Sequence, residues 1–419
     1  MSIRNQPPKI DVAMLGARMH YALPKLFHEA GMLGKFYTDI YLGNKPWLER
    51  LLNVIPSNSK ILQKLSARRE TAIPPEKVVS FDILGLSYWW RQNRSADFCQ
   101  LTRVFAHSAR TFDEMIIRHG LNGAKAIYGF NSASLELFEF AKDKGITCIL
   151  EQTIAPQKIQ RQLVLEEIER WQGWQPDPGV LLEDDPLSER EEKEWELADL
   201  ILAGSQFVVD GLTECGVSRE KCKVVQYGVS LEKFKPASKG PLSNRPLRVL
   251  FVGEVGLRKG VPYLLEALKL LDSRSIEARF AGRISLMEGM IKQYRRCADF
   301  LGAVPRNQIG RLYNWADVLV IPSICEGSAT VTYEALASGI PVITTPNTGS
   351  FVDEGLDGHI VSVCDAEAIA RFLESYISKP ELLYEEQKAA VSRREKVGLK
   401  AYGRRLLETI YNTNADGSR

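Results

Sequence analysis

The sequence has no long apolar run and no regular spacing of cysteines or histidines. None of its 419 residues lies in a stretch that approaches the ~20 apolar residues of a membrane-spanning helix. The seven cysteines and five histidines are scattered, without a C-x-x-C pair. This scatter argues against a disulfide framework and against a zinc site. We therefore expect a reduced, cytoplasmic protein that holds no metal ion.

The charges of the chain are nearly balanced, which argues against a nucleic-acid-binding protein. The 54 basic and 52 acidic residues give a formal net charge of +2. Proteins that bind nucleic acid usually carry a basic patch or stripe, so we expect no nucleic-acid partner. The first nine residues are polar and lack an apolar core, so we expect no secretory signal peptide.

One short cluster leaves contact with a membrane open. The run Trp89-Trp90-Arg91-Gln92-Asn93-Arg94 places aromatic rings beside cations, a combination typical of the membrane interface. The alternative is that these aromatic side chains pack beneath a loop. The sequence does not decide between the two, so peripheral attachment at the inner face of a membrane stays open.

Short apolar runs alternate with longer segments of helical period, a pattern typical of parallel α/β sheets. In the first half, strands are predicted at 10–15, 125–128, 146–150, 200–203 and 223–225. In the second half, they are predicted at 247–252, 277–281, 298–300, 318–321, 342–344 and 360–363. The fold class is therefore α/β with two doubly wound halves.

A segment rich in proline and glycine separates the two halves. Residues 237–246 cannot form regular structure and are predicted to be a linker. We predict one Rossmann-like domain over 1–236 and a second over 247–396. For the terminal helix at 397–419, packing back on the first domain is left open. Ligands bind outside the carboxyl ends of the strands in such sheets, so we expect the site in a cleft between the domains.

The richest group of candidate site residues follows the strand that ends at Ile321. A loop carries Glu326, and the small residues 327–329 then lead into a helix. Small residues allow a ligand to approach the backbone, and the first helical turn offers N–H groups to a phosphate. Glu326 and Glu334 are carboxylates that could bind the hydroxyls of a sugar and a ribose. The alternative for Glu334 is an ordinary solvent-exposed helix residue.

A second group follows the first strand of the second half. Gly253 ends that strand, and Arg258 and Lys259 come just before the glycine at a helix start. Such cations can hold a phosphate, each charge-assisted bond contributing roughly 1.5–3 kcal/mol. The alternative is a pair of solvated surface charges. The P-loop pattern is absent, and no G-x-G-x-x-G follows the first strand of the chain, which argues against a dinucleotide dehydrogenase.

In combination, these motifs resemble the family-4 retaining glycosyltransferases of the glycosyl transferases group 1. The matching segments, in chain order, are Gly253…Arg258-Lys259-Gly260, 301–305, Tyr313, 316–318 and 322–343. The resemblance is strong over about 198–370 and thinner before it.

The resemblance implies a GT-B fold, in which two Rossmann-like parallel-sheet domains face each other across a cleft. The domain at 1–236 would bind the acceptor and the domain at 247–396 the nucleotide-sugar donor. The implied enzyme is a retaining glycosyltransferase of hexosyltransferase type that acts in polysaccharide or glycolipid biosynthesis. Its acceptor would be a glycan, a lipid-linked sugar or a small molecule, and the reaction would need neither metal nor other cofactor.

The resemblance also assigns roles to residues. Arg258 and Lys259 would hold the donor diphosphate, Glu326 would contact the donor sugar, and Glu334 would lie near the ribose. Arg258, Lys259 and Glu326 are the predicted catalytic residues. The predicted donor-binding set is Gly253, Arg258, Lys259, Glu326, Gly327, Ser328, Ala329, Thr330, Val331 and Glu334.

The first half departs from the family pattern in two places. Many relatives carry a histidine after the strand at 146–150, where this chain has Glu151 and Gln152 instead. The glycine-glycine loop after the first strand is also altered. We predict an acceptor-side set of Gly16, Arg18, His20 and Glu151. A histidine bonded to backbone at a helix start is the alternative for His20.

The missing histidine keeps other functions open. One is a catalytically weak, glycosyltransferase-like subunit that binds a nucleotide or a partner. Another is a nucleotide-sugar epimerase of the same fold. The sequence does not reveal the donor base, the sugar, the acceptor or the oligomeric state.

Overall fold

The chain forms two compact units, each built on its own sheet. The computed structural model describes residues 8–43, 45, 68–95, 98–121, 123–176, 185–237, 242 and 245–416. The first unit falls within 1–152, 178–202 and 217–223, and the second within 153–177, 203–216 and 224–419. Most of the predicted linker at 237–246 lies outside the described residues. The domain boundaries drawn from the sequence therefore stay predictions.

The first sheet has seven strands. They are Ile10–Met14 (β1), Leu33–Thr38 (β2), Val78–Ser80 (β3), Ala126–Phe130 (β4), Thr147–Gln152 (β5), Leu200–Ala203 (β6) and Cys222–Val224 (β7). Their spatial order is β3-β2-β1-β4-β5-β6-β7. Strand β1 pairs in parallel with β2 on one side and with β4 on the other. The strand order therefore reverses between β1 and β4, and ligands bind at such a switch point in doubly wound sheets.

The second sheet has six strands in the order β10-β9-β8-β11-β12-β13. They are Leu247–Val252 (β8), Ile276–Ala281 (β9), Asp299–Gly302 (β10), Val318–Ile321 (β11), Val342–Thr344 (β12) and Gly358–Ile360 (β13). All its pairs are parallel. Every residue of β11 is fully buried, as expected for a parallel strand covered on both faces. The switch point of this sheet lies between β8 and β11.

Helices connect the strands in both units. In the first half they are Ala22–Glu29 (α1), Asp82–Arg94 (α2), Phe98–His119 (α3), Leu135–Asp143 (α4), Gln157–Arg170 (α5), Pro186–Leu197 (α6) and Gln206–Glu214 (α7). In the second half they are Val261–Lys269 (α8), Glu288–Tyr294 (α9), Arg306–Trp315 (α10), Thr330–Ala337 (α11), Ala366–Ser378 (α12), Pro380–Arg393 (α13) and Leu399–Asp416 (α14).

The two doubly wound parallel sheets confirm the predicted class of two Rossmann-like domains. The predicted strands missed both β2 and the short β3. In β2, Gly34 and Lys35 interrupt the apolar pattern. The buried carboxylate of Asp11 accepts a hydrogen bond from the Lys35 N–H at 2.7 Å and fixes that stretch beside β1. The strand predicted at 360–363 is misplaced, since β13 begins at Gly358. A Cβ there would lie 2.1 Å from the Val342 oxygen.

The terminal helix α14 contacts the segment that follows β7. The Leu399 N–H donates to the Val229 oxygen at 3.1 Å. Arg405 donates to the carbonyls of Gln226 and Tyr227 at 2.9 and 3.0 Å. These residues all belong to the second unit. Packing of this helix on the predicted first domain stays a prediction.

The turn after β8 is packed directly against the loop after β11. Gly260 has φ +67°, and a Cβ on it would lie 1.8 Å from the Pro322 oxygen. The Ile324 N–H donates to the Arg258 oxygen at 3.0 Å. The glycine is therefore needed both for its left-handed backbone and for the close approach of the two segments.

Replacing Gly260 with alanine should destabilise the protein by more than about 3 kcal/mol, because strain at φ combines with a backbone clash. The matched control is Gly355→Ala. Gly355 has φ +71°, and nothing lies within 4 Å of its Cβ position. The control measures only the cost of placing alanine in the left-handed backbone region, about 1–2 kcal/mol. Urea unfolding measures both, and equal losses would contradict the proposed close approach.

Candidate active site

The switch point of the second sheet holds one carboxylate between two cations. Arg258 and Lys259 follow β8, and Glu326 lies in the loop after β11. Both cations contact the same carboxylate oxygen of Glu326, Lys259 Nζ at 2.5 Å. Arg258 also donates to the Cys325 carbonyl at 2.9 Å. With one negative and two positive side chains, the group carries a net positive charge.

This group lies largely out of solvent, which strengthens its electrostatics. The side chains of Lys259 and Glu326 are 10% and 13% exposed. Burial by itself would raise the pKa of Glu326, but the neighbouring Lys259 and Arg258 outweigh it and hold the pKa below its usual value. Burial lowers the pKa of Lys259, and the carboxylate of Glu326 opposes that effect. Glu326 is therefore ionised at neutral pH.

A second loop holds the segment before Glu326 in place. Thr345 Oγ1 donates to the Ser323 carbonyl at 2.6 Å, and Asn347 Nδ2 donates to the Ile324 carbonyl at 2.8 Å. The Ile324 N–H is already bonded to the turn after β8. The loop that carries Glu326 is thus fixed from both sides, and its carboxylate is positioned before any ligand binds.

The small residues after Glu326 have a packing role in this structure. A Cβ on Gly327 would lie 1.9 Å from the Thr153 oxygen. Ser328 Oγ and the Tyr333 hydroxyl are hydrogen-bonded to each other at 2.6 Å, and both oxygens lie close to the Gly349 carbonyl, at 3.0 and 3.1 Å. The chain itself therefore requires small side chains here. The sequence attributed this requirement to a ligand, and that role of residues 327–329 stays a prediction.

The first turn of α11 offers backbone donors. Ala329 precedes the helix and makes no side-chain cap hydrogen bond. Its own N–H donates to the Thr348 carbonyl at 3.0 Å. The N–H groups of Thr330 and Val331 begin the helix, where the dipole favours an anion.

Glu334 lies on α11 but away from solvent. It is 7% exposed, so the alternative of a solvated helix residue is wrong. The hydroxyl of Tyr313, on α10, donates to Glu334 Oε2 at 2.8 Å. Burial raises the pKa of Glu334, and the Tyr313 hydroxyl opposes this rise. Sequence reasoning placed Tyr313 among the matching motifs but gave it no role.

Of the predicted acceptor-side residues in the first unit, Gly16, Arg18 and His20 follow β1, and Glu151 lies near the end of β5. The Gly16 N–H donates to Asp39 Oδ1 at 3.2 Å. The Arg18 guanidinium is exposed and lies 5.3 Å from the centroid of the Phe130 ring, which ends β4. Arg18 and Phe130 thus mark the switch point of the first sheet. His20 lies between Met19 and Tyr21, and all three have positive φ, at 46°, 52° and 62°.

Glu151 and Gln152, which stand where many relatives have a histidine, are buried in a polar network. Glu151 is 5% exposed and accepts a hydrogen bond from the Tyr128 hydroxyl at 2.6 Å. Gln152 donates to Glu191 and accepts from the Trp195 indole, both at 3.0 Å. An acceptor-binding role for Glu151 stays a prediction.

The structure brings Gly253, Arg258, Lys259 and Glu326 together in the second unit. A Cβ on Gly253 would lie 3.5 Å from Lys259 Cε, so the lysine side chain passes over this glycine. Among the described residues, no three His, Cys, Asp or Glu side chains are grouped to hold a metal ion. The expectation of a metal-free reaction stays a prediction.

Replacing Tyr313 with phenylalanine should cost about 1–2 kcal/mol of unfolding free energy at neutral pH, because a buried carboxylate loses its donor. The folded pKa of Glu334 lies above its unfolded value. Below the unfolded pKa, about 4.3, the carboxyl is neutral in both states, and the loss should shrink there. Denaturant unfolding across this pH range measures the difference. In a Glu334→Gln background the pH dependence of the Tyr313→Phe effect should vanish, and its persistence would contradict the assignment.

Parts of this chain are similar to known proteins. The family described as glycosyl transferases group 1 matches residues 246–379. An uncharacterized 41.2 kDa protein in the cps region of Klebsiella pneumoniae is 28% identical over 187 residues, 42% of this chain and 52% of that protein. The amylovoran biosynthesis glycosyltransferase AmsK of Erwinia amylovora is 26% identical over 195 residues, 42% of this chain and 46% of AmsK. The chain spans about half the length of the curated relatives it matches.

The fold also agrees with a solved structure. Anabaena HepE, crystallised in complex with UDP, superposes with a TM-score of 0.61 at 16% identity, over 96% of this chain and all of HepE. At this identity the likeness concerns the fold alone. The residues matched by the glycosyl transferases group 1 family lie in the second unit, and this match agrees with the resemblance that the motifs of the same segment show.

Proposed function

We propose that the chain is a retaining glycosyltransferase that moves a sugar from a nucleotide-sugar donor in polysaccharide biosynthesis. The observation that carries the proposal is the Arg258–Glu326–Lys259 group at the switch point of the family-matched unit. A relative named for amylovoran biosynthesis and a structural neighbour crystallised with UDP support it.

In this proposal the donor diphosphate binds to Arg258, Lys259 and the first turn of α11. The cations and the helix terminus supply positive charge without a metal ion. Both are fixed by the folded chain, so little reorganisation is needed as charge develops on the leaving group. Preorganised stabilisation of this kind makes the largest contribution to the rate enhancement of many enzymes.

The chemical step breaks the bond between the anomeric carbon of the sugar and the diphosphate oxygen, which keeps the electron pair. The acceptor hydroxyl forms the new bond on the same face, and its proton passes to the departing phosphate. Retention then needs no protein nucleophile. The chain's contribution is to stabilise the diphosphate and to orient the sugar.

Two carboxylates orient the donor. Glu326 stays ionised because of its two cations, so its second oxygen can accept hydrogen bonds from sugar hydroxyls. Glu334, held by Tyr313, would accept from the ribose. The acceptor, a glycan or lipid-linked sugar, would bind in the first unit near Gly16, Arg18, His20 and Glu151.

Removing the cation Arg258 by alanine substitution should lower kcat about 10²–10³-fold, the typical cost of losing one charge-stabilising group. Glu326→Gln should also lower kcat for sugar transfer. The matched control is Arg274→Ala, because Arg274 is 89% exposed and, among the described residues, forms its ion pair with Asp272. Transfer is measured with a panel of nucleotide-sugars and glycan acceptors, after circular dichroism has verified folding.

Three outcomes of that panel distinguish the functions. Transfer that is lost in Arg258→Ala but kept in Arg274→Ala supports the proposal. Thermal stabilisation by a nucleotide-sugar without turnover indicates a binding subunit instead. Conversion of the donor without any acceptor indicates an epimerase.

A separate test concerns metal ions. If Arg258, Lys259 and α11 supply the positive charge, EDTA should leave transfer within about twofold of the untreated rate, far less than the loss of one stabilising group. Initial rates with and without EDTA measure this. Recovery of a lost rate by added magnesium would contradict the metal-free proposal.

A further inference from the structure

Helix α2 is attached to the first unit through one face. Gly85 is buried, and a Cβ on it would lie 2.5 Å from Ile40 Cγ1. The Tyr88 ring packs edge-to-face on Phe105 of α3, with centroids 6.3 Å apart. These contacts fix the orientation of the helix.

The other face of α2 exposes large apolar side chains. Ile83 is 85% exposed, Leu86 57% and Trp90 52%, and the adjacent Trp89 is 37% exposed. Their spacing of three and four residues places Ile83, Leu86 and Trp90 in one stripe along the helix. In the part of the chain that the structure describes, Trp90 is therefore not packed beneath a loop.

Basic residues border this stripe. Arg91 and Arg94 are exposed, and the Arg94 guanidinium lies 3.9 Å from the centroid of the Trp90 ring. The one acidic residue in the α2 sequence, Asp82, lies at its first position and pairs with Lys45. The exposed face thus combines indole and aliphatic groups with the positive charges of Arg91 and Arg94 at its carboxyl end.

We propose that the stripe of Ile83, Leu86 and Trp90, with Arg91 and Arg94, docks on an anionic lipid surface. Tryptophan prefers the headgroup region, and arginine is attracted to lipid phosphates. A helix of 13 residues is about 20 Å long, shorter than the ~30 Å hydrocarbon core, so it would lie along the surface. No described helix is long and apolar enough to cross a bilayer.

The combination of an apolar stripe with arginines favours a lipid surface over a nucleic acid. An apolar stripe of this kind has no match in a nucleic-acid backbone, whereas a lipid interface offers acyl chains and phosphates side by side. The inference does not depend on the proposed transferase activity, because docking needs no nucleotide-sugar.

The experiment is co-sedimentation of the full chain with vesicles of equal parts phosphatidylcholine and phosphatidylglycerol. Ile83→Ser/Leu86→Ser should weaken binding at least about tenfold, because two apolar side chains leave the interface. Arg91→Gln/Arg94→Gln should weaken it about fivefold for each arginine removed. The control is Leu270→Ser, which removes an exposed leucine (63%) in the second unit and should leave binding unchanged.

A second measurement locates the contact. Brominated lipids should quench tryptophan fluorescence in the wild type, and Trp90→Phe should lose most of that quenching. The proposal is overturned if the wild type does not bind acidic vesicles, or if the α2 variants bind as well as the wild type. Equal binding to pure phosphatidylcholine would overturn the role of the two arginines. If a protein or another segment of this chain covered the stripe, the wild type would not bind acidic vesicles.

Discussion

The shared carboxylate of Glu326 is the interaction on which the candidate site depends. It joins the turn after β8 to the loop after β11, the two strands between which the sheet order reverses. Two cations this close would repel each other without it, and it would be costly to bury without them. The chain therefore keeps a partly neutralised cationic site ready for a ligand with more negative charge than one carboxylate.

The fold class and the charged residues that follow β8 and β11 were predictable from the sequence because parallel sheets bury both faces. Strand β11 is a continuous apolar run, and β8 is apolar apart from Arg248, so the glycines and charges that follow these strands stand out. Strand β2 escaped because Gly34 and Lys35 break the run, and only the distant Asp11 explains why that segment is still a strand. A pairing partner that far away in sequence has no local signal.

Contacts between residues that are distant in sequence were also unpredictable in the candidate site. The sequence located Arg258, Lys259, Glu326 and Glu334, but not the partner that holds Glu334. The need for small side chains after Glu326 was predictable, but the structural reason for it was not. The backbone of Thr153 approaches Gly327 from a segment more than a hundred positions earlier. Likewise, nothing local to Gln152 reveals that its amide is bonded between Glu191 and Trp195.

The backbone from Met19 to Tyr21 restricts which sequences the loop after β1 can accept. Three successive left-handed residues without glycine each cost roughly 1–2 kcal/mol. The Tyr21 hydroxyl, bonded to the Ile40 carbonyl at 3.1 Å, helps to hold this conformation. Valine or isoleucine at positions 19 and 20 would crowd it further, whereas glycine or asparagine would relax it. Backbone geometry alone therefore limits which residue types can occupy positions 19–21 at this edge of the first sheet, whatever molecule binds there.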